Sequence, residues 1–370
     1  MKKITALVLA AAMTLALASC GGGNNAASSG AASSGAASSG AASSGAASTA
    51  GDYASLDPVV LTGADSTGKG AAGQLFGEMV AAKVDEITGG QLTIDYYPNG
   101  ELGADADLLR QLQANDIQLF VGQTAPVVSF VPEVAVYDLP MVFAQYDGAT
   151  IDKVLNGDSQ FNTKLSEAFN AAGFQLMGTL QNATYRLTTS NTELATLADF
   201  DGLQIRTMEN PNHMAFWEAI GAEPTPMAWN EVYFALQSGN LAAEENAADT
   251  IVGANLNEVQ KYLSLTNHIL YANMMIMNQE AYDSLDPAYQ EALNQAVAES
   301  LTEMSAQLAQ IDQDNKADLE SKGMTITEYG PEFYEEVLAV PGVQELYKTI
   351  DASVNGLGAT LQEELAAAAG

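Results

Sequence analysis

Between Pro287 and Gly323 the chain runs for 35 residues without a proline or a glycine. Those are the residues that most readily end a helix, and Asp286-Pro287 supplies a cap and a first-turn proline at its start. Leu293, Val297, Leu301, Met304, Leu308 and Ile311 recur at helical spacing, so one stripe of this helix must be buried. At 1.5 Å per residue it would be about 50 Å long. That exceeds the width of a typical domain, and the expectation is a helix bracing two lobes. A kinked helix or two helices in succession are the alternatives.

Upstream of this helix the signals alternate. A β-branched run at 59–62 precedes a glycine-spotted turn, and Leu75, Phe76, Met79, Val80, Val84 and Ile87 then follow helical spacing up to Gly89-Gly90. Leu92, Ile94 and Tyr96 alternate as a strand, Pro98-Asn99-Gly100 turns the chain, Leu108, Leu109 and Leu112 share a helix face, and 117–121 reads as the next strand. Strands joined by helical crossovers predict an α/β fold with a largely parallel sheet. Further strands are expected at 174–180, 185–189, 203–206 and 269–277, with helices near 148–155, 161–171, 212–220 and 230–237. Arg206 then falls at the carboxyl end of its strand, the usual edge for ligands in open α/β sheets.

The amino terminus reads as an export signal. Lys2 and Lys3 precede an apolar run at 4–18, too short and alanine-rich for a persuasive membrane span. Leu17-Ala18-Ser19-Cys20 resembles a bacterial lipobox, which implies a leader over 1–19 and lipidation of Cys20. A plain signal peptide is the alternative. Residues 21–51 are glycine, alanine, serine, asparagine and one threonine, a composition with almost nothing to bury, as in a flexible linker. Lipid chains would tether the protein to a membrane surface without making it span the bilayer.

Charge and scarcity narrow the chemistry. Without Lys2 and Lys3 the chain holds 11 basic against 46 acidic residues, a formal charge of −35. Nucleic acid and anionic membrane surfaces, which are recognised through basic patches, are excluded as partners. An anionic small molecule is not excluded, because salt screens the field beyond about 8 Å and contact chemistry decides. The chain has three arginines, and Arg186 and Arg206 lie 20 residues apart. Each can grip a carboxylate through two parallel hydrogen bonds, which lysine cannot do. Cys20 is the one cysteine, and His213 and His268 lack metal-ligand spacing, so no disulfide framework, metal site or cofactor is expected. No GxSxG, Walker loop or strand-borne GxGxxG is present, no catalytic residue is assigned, and a binder is expected rather than an enzyme.

The motifs YYPNGELGADADLLRQLQ, VYDLPMVF, YRLTTS, DFDGLQIRT, IGAEPTPMAWNEVYFALQSG, EEN and LSLTNHI occur in order along the chain. In that order and spacing the chain resembles the solute-binding proteins of TRAP transporters, in their DctP-like branch, from residue 59 to the carboxyl terminus. The resemblance implies a two-lobed periplasmic-binding-protein-like fold whose lobes close on an organic acid, with a long helix spanning both. The lobes are expected over 52–183 with 272–311, and over 184–271 with 312–370. It further implies an extracytoplasmic protein that hands its ligand to TRAP-type membrane permease subunits.

Carried over by motif, Arg206 is similar to the family's carboxylate-binding arginine and Arg186 to a second cleft arginine. Asn246 of EEN resembles a ligand-binding amide, although the common VDGQEN form is LAAEEN here. Trp229 takes the place of an aromatic wall, Asp105 and His268 match polar positions near the cleft, and Asp65 is a further candidate from the first lobe. The glutamate and arginine that follow the third strand in sialic-acid binders correspond to Gln123 and Pro126. A sugar acid, dicarboxylate or 2-oxo acid is therefore expected rather than sialic acid. The rival readings are a ligand-sensing surface lipoprotein and a tethered enzyme acting on organic acids.

Overall fold

In β3 (Leu119–Gln123) and β10 (Asn273–Asn278) every residue is buried. Such strands show no in–out alternation because helices cover both of their faces. They lie at the centre of a sheet in the computed structural model, which describes residues 53–370. With β1 (Val59–Asp65), β2 (Leu92–Tyr97) and β4 (Phe174–Leu180) they form the order β2-β1-β3-β10-β4. A second sheet combines β5 (Leu187–Ser190), β6 (Gln204–Thr207), β7 (Glu223–Pro226), β8 (Ala243–Asn246), β9 (Tyr262–Ser264) and β11 (Thr325–Thr327) in the order β11-β9-β5-β8-β6-β7. The expected leader, Cys20 and linker lie outside the described residues.

The sheets are mixed, where a largely parallel sheet was expected. β1 runs parallel to β2 and β3, but β10 is antiparallel to both β3 and β4. The cause is the chain's path: it leaves the first sheet after β4 and returns at Asn273, entering from the edge where β3 ends at Gln123. β5 is likewise antiparallel to β8 and β9. The two crossing segments pair with each other. Arg186 N donates to Ile269 O at 2.9 Å and Tyr271 N to Thr184 O at 2.8 Å, flanking a bridge between Tyr185 and Leu270.

The long helix is continuous from Pro287 to Ser321, with the Asp286 side chain accepting from Ala288 N at 2.9 Å. Tyr289, Leu293, Val297, Met304 and Leu308 join the core between this helix, the helix Ala72–Thr88 and the first sheet. Leu319, near its other end, is buried with Leu187, Val232 and Leu263 of the second sheet's core. One helix thus adds side chains to both cores. It comes so close to β4 that a Cβ on Gly178 would lie 2.6 Å from Leu301 Cδ1, so a larger residue there would make the Leu301 side chain shift. The carboxyl-terminal helix Leu357–Ala368 packs on the helices Gly148–Leu155 and Gln160–Ala171 beside the first sheet. No helix of the described residues is long and apolar enough to cross a membrane.

Candidate functional site

The carboxyl ends of β1, β3, β6 and β8 converge where the two sheets meet, and a cavity of about 740 Å³ opens there. Ser66, Thr67, Asn99 and Asp105 line it from the first sheet's loops, Arg206, Met208 and Trp229 from the second. A small inner recess reaches Gln123 and Asn246.

Arg206 is 2% exposed. Its strand lies between β7 and β8, and the side chain reaches past the end of β7 to Met227 O, to which Nε donates at 2.9 Å and Nη2 at 2.6 Å. Those bonds fix the plane of the guanidinium, and the carbon at its centre stands 5.4 Å from the centre of the Trp229 ring. Nη1 is buried and has no hydrogen-bond partner among the described residues. Burial lowers the Arg206 pKa to about 10, against the pull of Glu245 and Glu244, so it remains a cation at neutral pH. Of the three arginines, Arg110 pairs with Asp107 and Arg186 with Glu245, whereas Arg206 has no carboxylate within 4.0 Å among the described residues. In so acidic a chain, a buried guanidinium without a counter-ion and with an idle donor has the chemistry to take an external anion.

Arg186, also buried, sits on the crossing segment behind the recess. Its Nε and Nη2 donate to the Glu245 carboxylate, and its Nη1 to Gln123 Oε1 and to Asn246 Oδ1, the latter at 3.3 Å. It does not line the cavity; it holds the two amides that line the recess. Asn246 Oδ1 also accepts from Gln123 Nε2 at 3.3 Å, leaving the Asn246 amide nitrogen without a partner among the described residues.

Asp105 opens the helix Asp105–Gln113, and its Oδ1 accepts from Ser66 Oγ at 2.5 Å. Burial raises its pKa, opposed by that hydroxyl and by Arg206. Asp65 is turned to structure instead: Oδ1 accepts from Thr67 N, Thr67 Oγ1 and Asn99 N, and Oδ2 from the Tyr96 hydroxyl. It shapes the loops that carry Thr67 and Asn99 to the cavity. His268 is stacked on Phe216 and bonded to Thr266 and Glu245, away from the cavity. The structure therefore gathers Arg206, Trp229, Asn246 and Asp105 around one space, and sets Arg186, Asp65 and His268 outside its lining.

Glu245 was not singled out in the sequence, yet it anchors Arg186, His213 and His268. Its signal is the two-residue alternation of a strand, which puts it on the face opposite Asn246. The same cluster sets a pH dependence. Burial would lower the His213 pKa, but Asp138 at 3.1 Å and Glu245 at 3.6 Å outweigh it and raise the group from 6.5 to about 9. The folded state thus favours the charged ring, so this contribution is complete below pH 6.5 and lost as pH rises through 9. Thermal unfolding followed from pH 6 to 10 is expected to show a loss on the order of 3 kcal/mol. That pH-dependent loss should be missing in His213→Gln.

Residues 64–351 match the DctP family model, described as bacterial extracellular solute-binding protein, family 7. A solute-binding protein of Verminephrobacter eiseniae (strain EF01-2) is 32% identical over 246 residues, 66% of this chain and 72% of the relative. The fold superposes on a TRAP periplasmic solute binding protein from Desulfovibrio salexigens with bound orotic acid at a TM-score of 0.78 and 25% identity, covering 84% of this chain and 99% of that one. A TRAP periplasmic solute binding protein from Bordetella bronchispeptica, with density interpreted as pantoate, gives 0.74 at 30% identity over 82% and 99% of the two chains. The chain thus belongs to the DctP family of bacterial extracellular solute-binding proteins, family 7.

Proposed function

We propose that this protein captures a small organic carboxylate on Arg206 and delivers it to the membrane subunits of a TRAP-type transporter. The observation that carries this is the Arg206 guanidinium, buried, oriented by Met227 O and without a carboxylate within 4.0 Å among the described residues. Relatives whose structures hold orotic acid and pantoate support the ligand class. The lobes are taken as 52–183 with 272–311 and 184–271 with 312–370, except that the helix Leu357–Ala368, which packs on the helices Gly148–Leu155 and Gln160–Ala171, is assigned to the first. Closure bends the paired crossing segments and the long helix between the lobes, and a ligand held by both lobes favours the closed form by its extra contacts there.

Cys20 carries the lipid that tethers the protein outside the cytoplasm, with the linker giving it reach. The protein acts as a receptor and not as an enzyme. Calorimetric screening of purified protein against sugar acids, dicarboxylates and 2-oxo acids tests ligand capture, and uptake in vesicles reconstituted with the membrane subunits tests delivery. Saturable binding of an acid recovered unchanged, together with uptake that requires this protein, is the expected result. Turnover of the acid without membrane subunits, or uptake indifferent to the protein, would contradict the proposal.

A further inference from the structure

The cavity offers an acid one buried cation and, on its other wall, one half-buried carboxylate, that of Asp105; Asp107, exposed at the rim, is paired with Arg110. Arg206 is the cation; Arg186 is neutralised by Glu245 outside the lining, and Lys69 is exposed at the rim. Facing it from the first sheet's loops is Asp105, half-buried, with Oδ1 taken by Ser66 and Oδ2 left without a partner among the described residues. Glu209 and Glu231 add acceptors at the exposed rim. A carboxylate fits against Arg206, and what meets Asp105 must donate a hydrogen bond. A second carboxylate there would face a like charge in a partly desolvated space, where such juxtaposition is strongly unfavourable. A 2-oxo acid that carries no hydroxyl has no hydrogen to give and would leave Asp105 without a donor from the ligand.

We infer that the ligand is a hydroxylated monocarboxylic acid, its single carboxylate on Arg206 and a hydroxyl donated to Asp105, and that dicarboxylates and 2-oxo acids that bring no hydroxyl to Asp105 are discriminated against there. This rests on the carboxylate-capture reading and narrows its three ligand classes to one. Asp105 would be a specificity-determining residue of the cleft. Sites that recognise a hydroxyl reject analogues lacking it, because the buried polar partner is then left unpaired.

The test is calorimetric titration of the full chain with four-to-six-carbon acids in matched sets: polyhydroxylated monoacids, and dicarboxylates, 2-oxo acids and aliphatic monoacids that carry no hydroxyl. The best hydroxylated monoacid is expected to bind at least about tenfold tighter than any other set. Asp105→Asn should weaken that monoacid about tenfold and bring the dicarboxylates about tenfold closer to it. A dicarboxylate or 2-oxo acid that binds wild type as tightly as the best hydroxylated monoacid would overturn this inference while leaving carboxylate capture intact. So would a ranking unchanged in Asp105→Asn. No binding by any acid would overturn both. Should the variant fail to fold, judged by circular dichroism, the wild-type ranking alone decides.

Discussion

Arg206→Ala is expected to weaken binding of the best acid by about thirtyfold or more, because truncating one partner of a buried charged contact costs about 2–5 kcal/mol. The guanidinium is already oriented by two bonds to Met227 O, so little ordering remains to be done when the anion arrives. Arg206→Lys should rescue little, since one ammonium cannot both bond Met227 O and present a planar fork to the carboxylate. Stability should move the other way. A buried cation with an unpartnered Nη1 is a cost to the empty protein, so Arg206→Ala is expected to unfold at an equal or higher temperature than wild type without ligand. Titration calorimetry and thermal unfolding of the same samples check both halves.

Glu245→Ala is expected to destabilise the fold by about 3–5 kcal/mol, the cost of leaving a buried charge without its partner. The Arg186 and Glu245 side chains are 2% and 0% exposed, so the guanidinium would be left in the core without its counter-ion. His213 and His268 lose their shared acceptor in the same stroke. Denaturant unfolding measures the effect. Replacing both members, as Arg186→Met with Glu245→Leu, should recover much of the stability. It should not recover ligand affinity, because Gln123 and Asn246 would lose the Arg186 Nη1 that sets their positions.

The long helix was legible because its evidence is local: a cap, a first-turn proline, a run free of helix breakers and an apolar stripe. Leu319 lies on the same stripe, eleven residues after Leu308, but was not singled out, and it is buried against the second sheet's core and not the first. The strand at β10 was legible from its apolar run, but its direction was not. A strand's pattern of residues is the same in either sense, and only the route of the chain through the other sheet settles which way it runs. Arg206 stood out by scarcity and by its place at a strand end. That Arg186 is matched and Arg206 is not could not be seen, for Glu245 lies 59 residues from Arg186 and dozens of carboxylates compete in the sequence. Asp65 shows the same limit. Its position after a strand suits either a ligand contact or a loop anchor, and the Thr67, Tyr96 and Asn99 donors around it form only in the folded loops.

The most direct test is a crystal structure of the protein with the tightest-binding acid from the calorimetric screen. The account predicts a ligand carboxylate with one oxygen about 2.7–2.9 Å from Arg206 Nη1, with Arg206 still donating to Met227 O and the ligand body beside Trp229. An acid seated with its carboxylate elsewhere, and Arg206 Nη1 still without a partner, would contradict it.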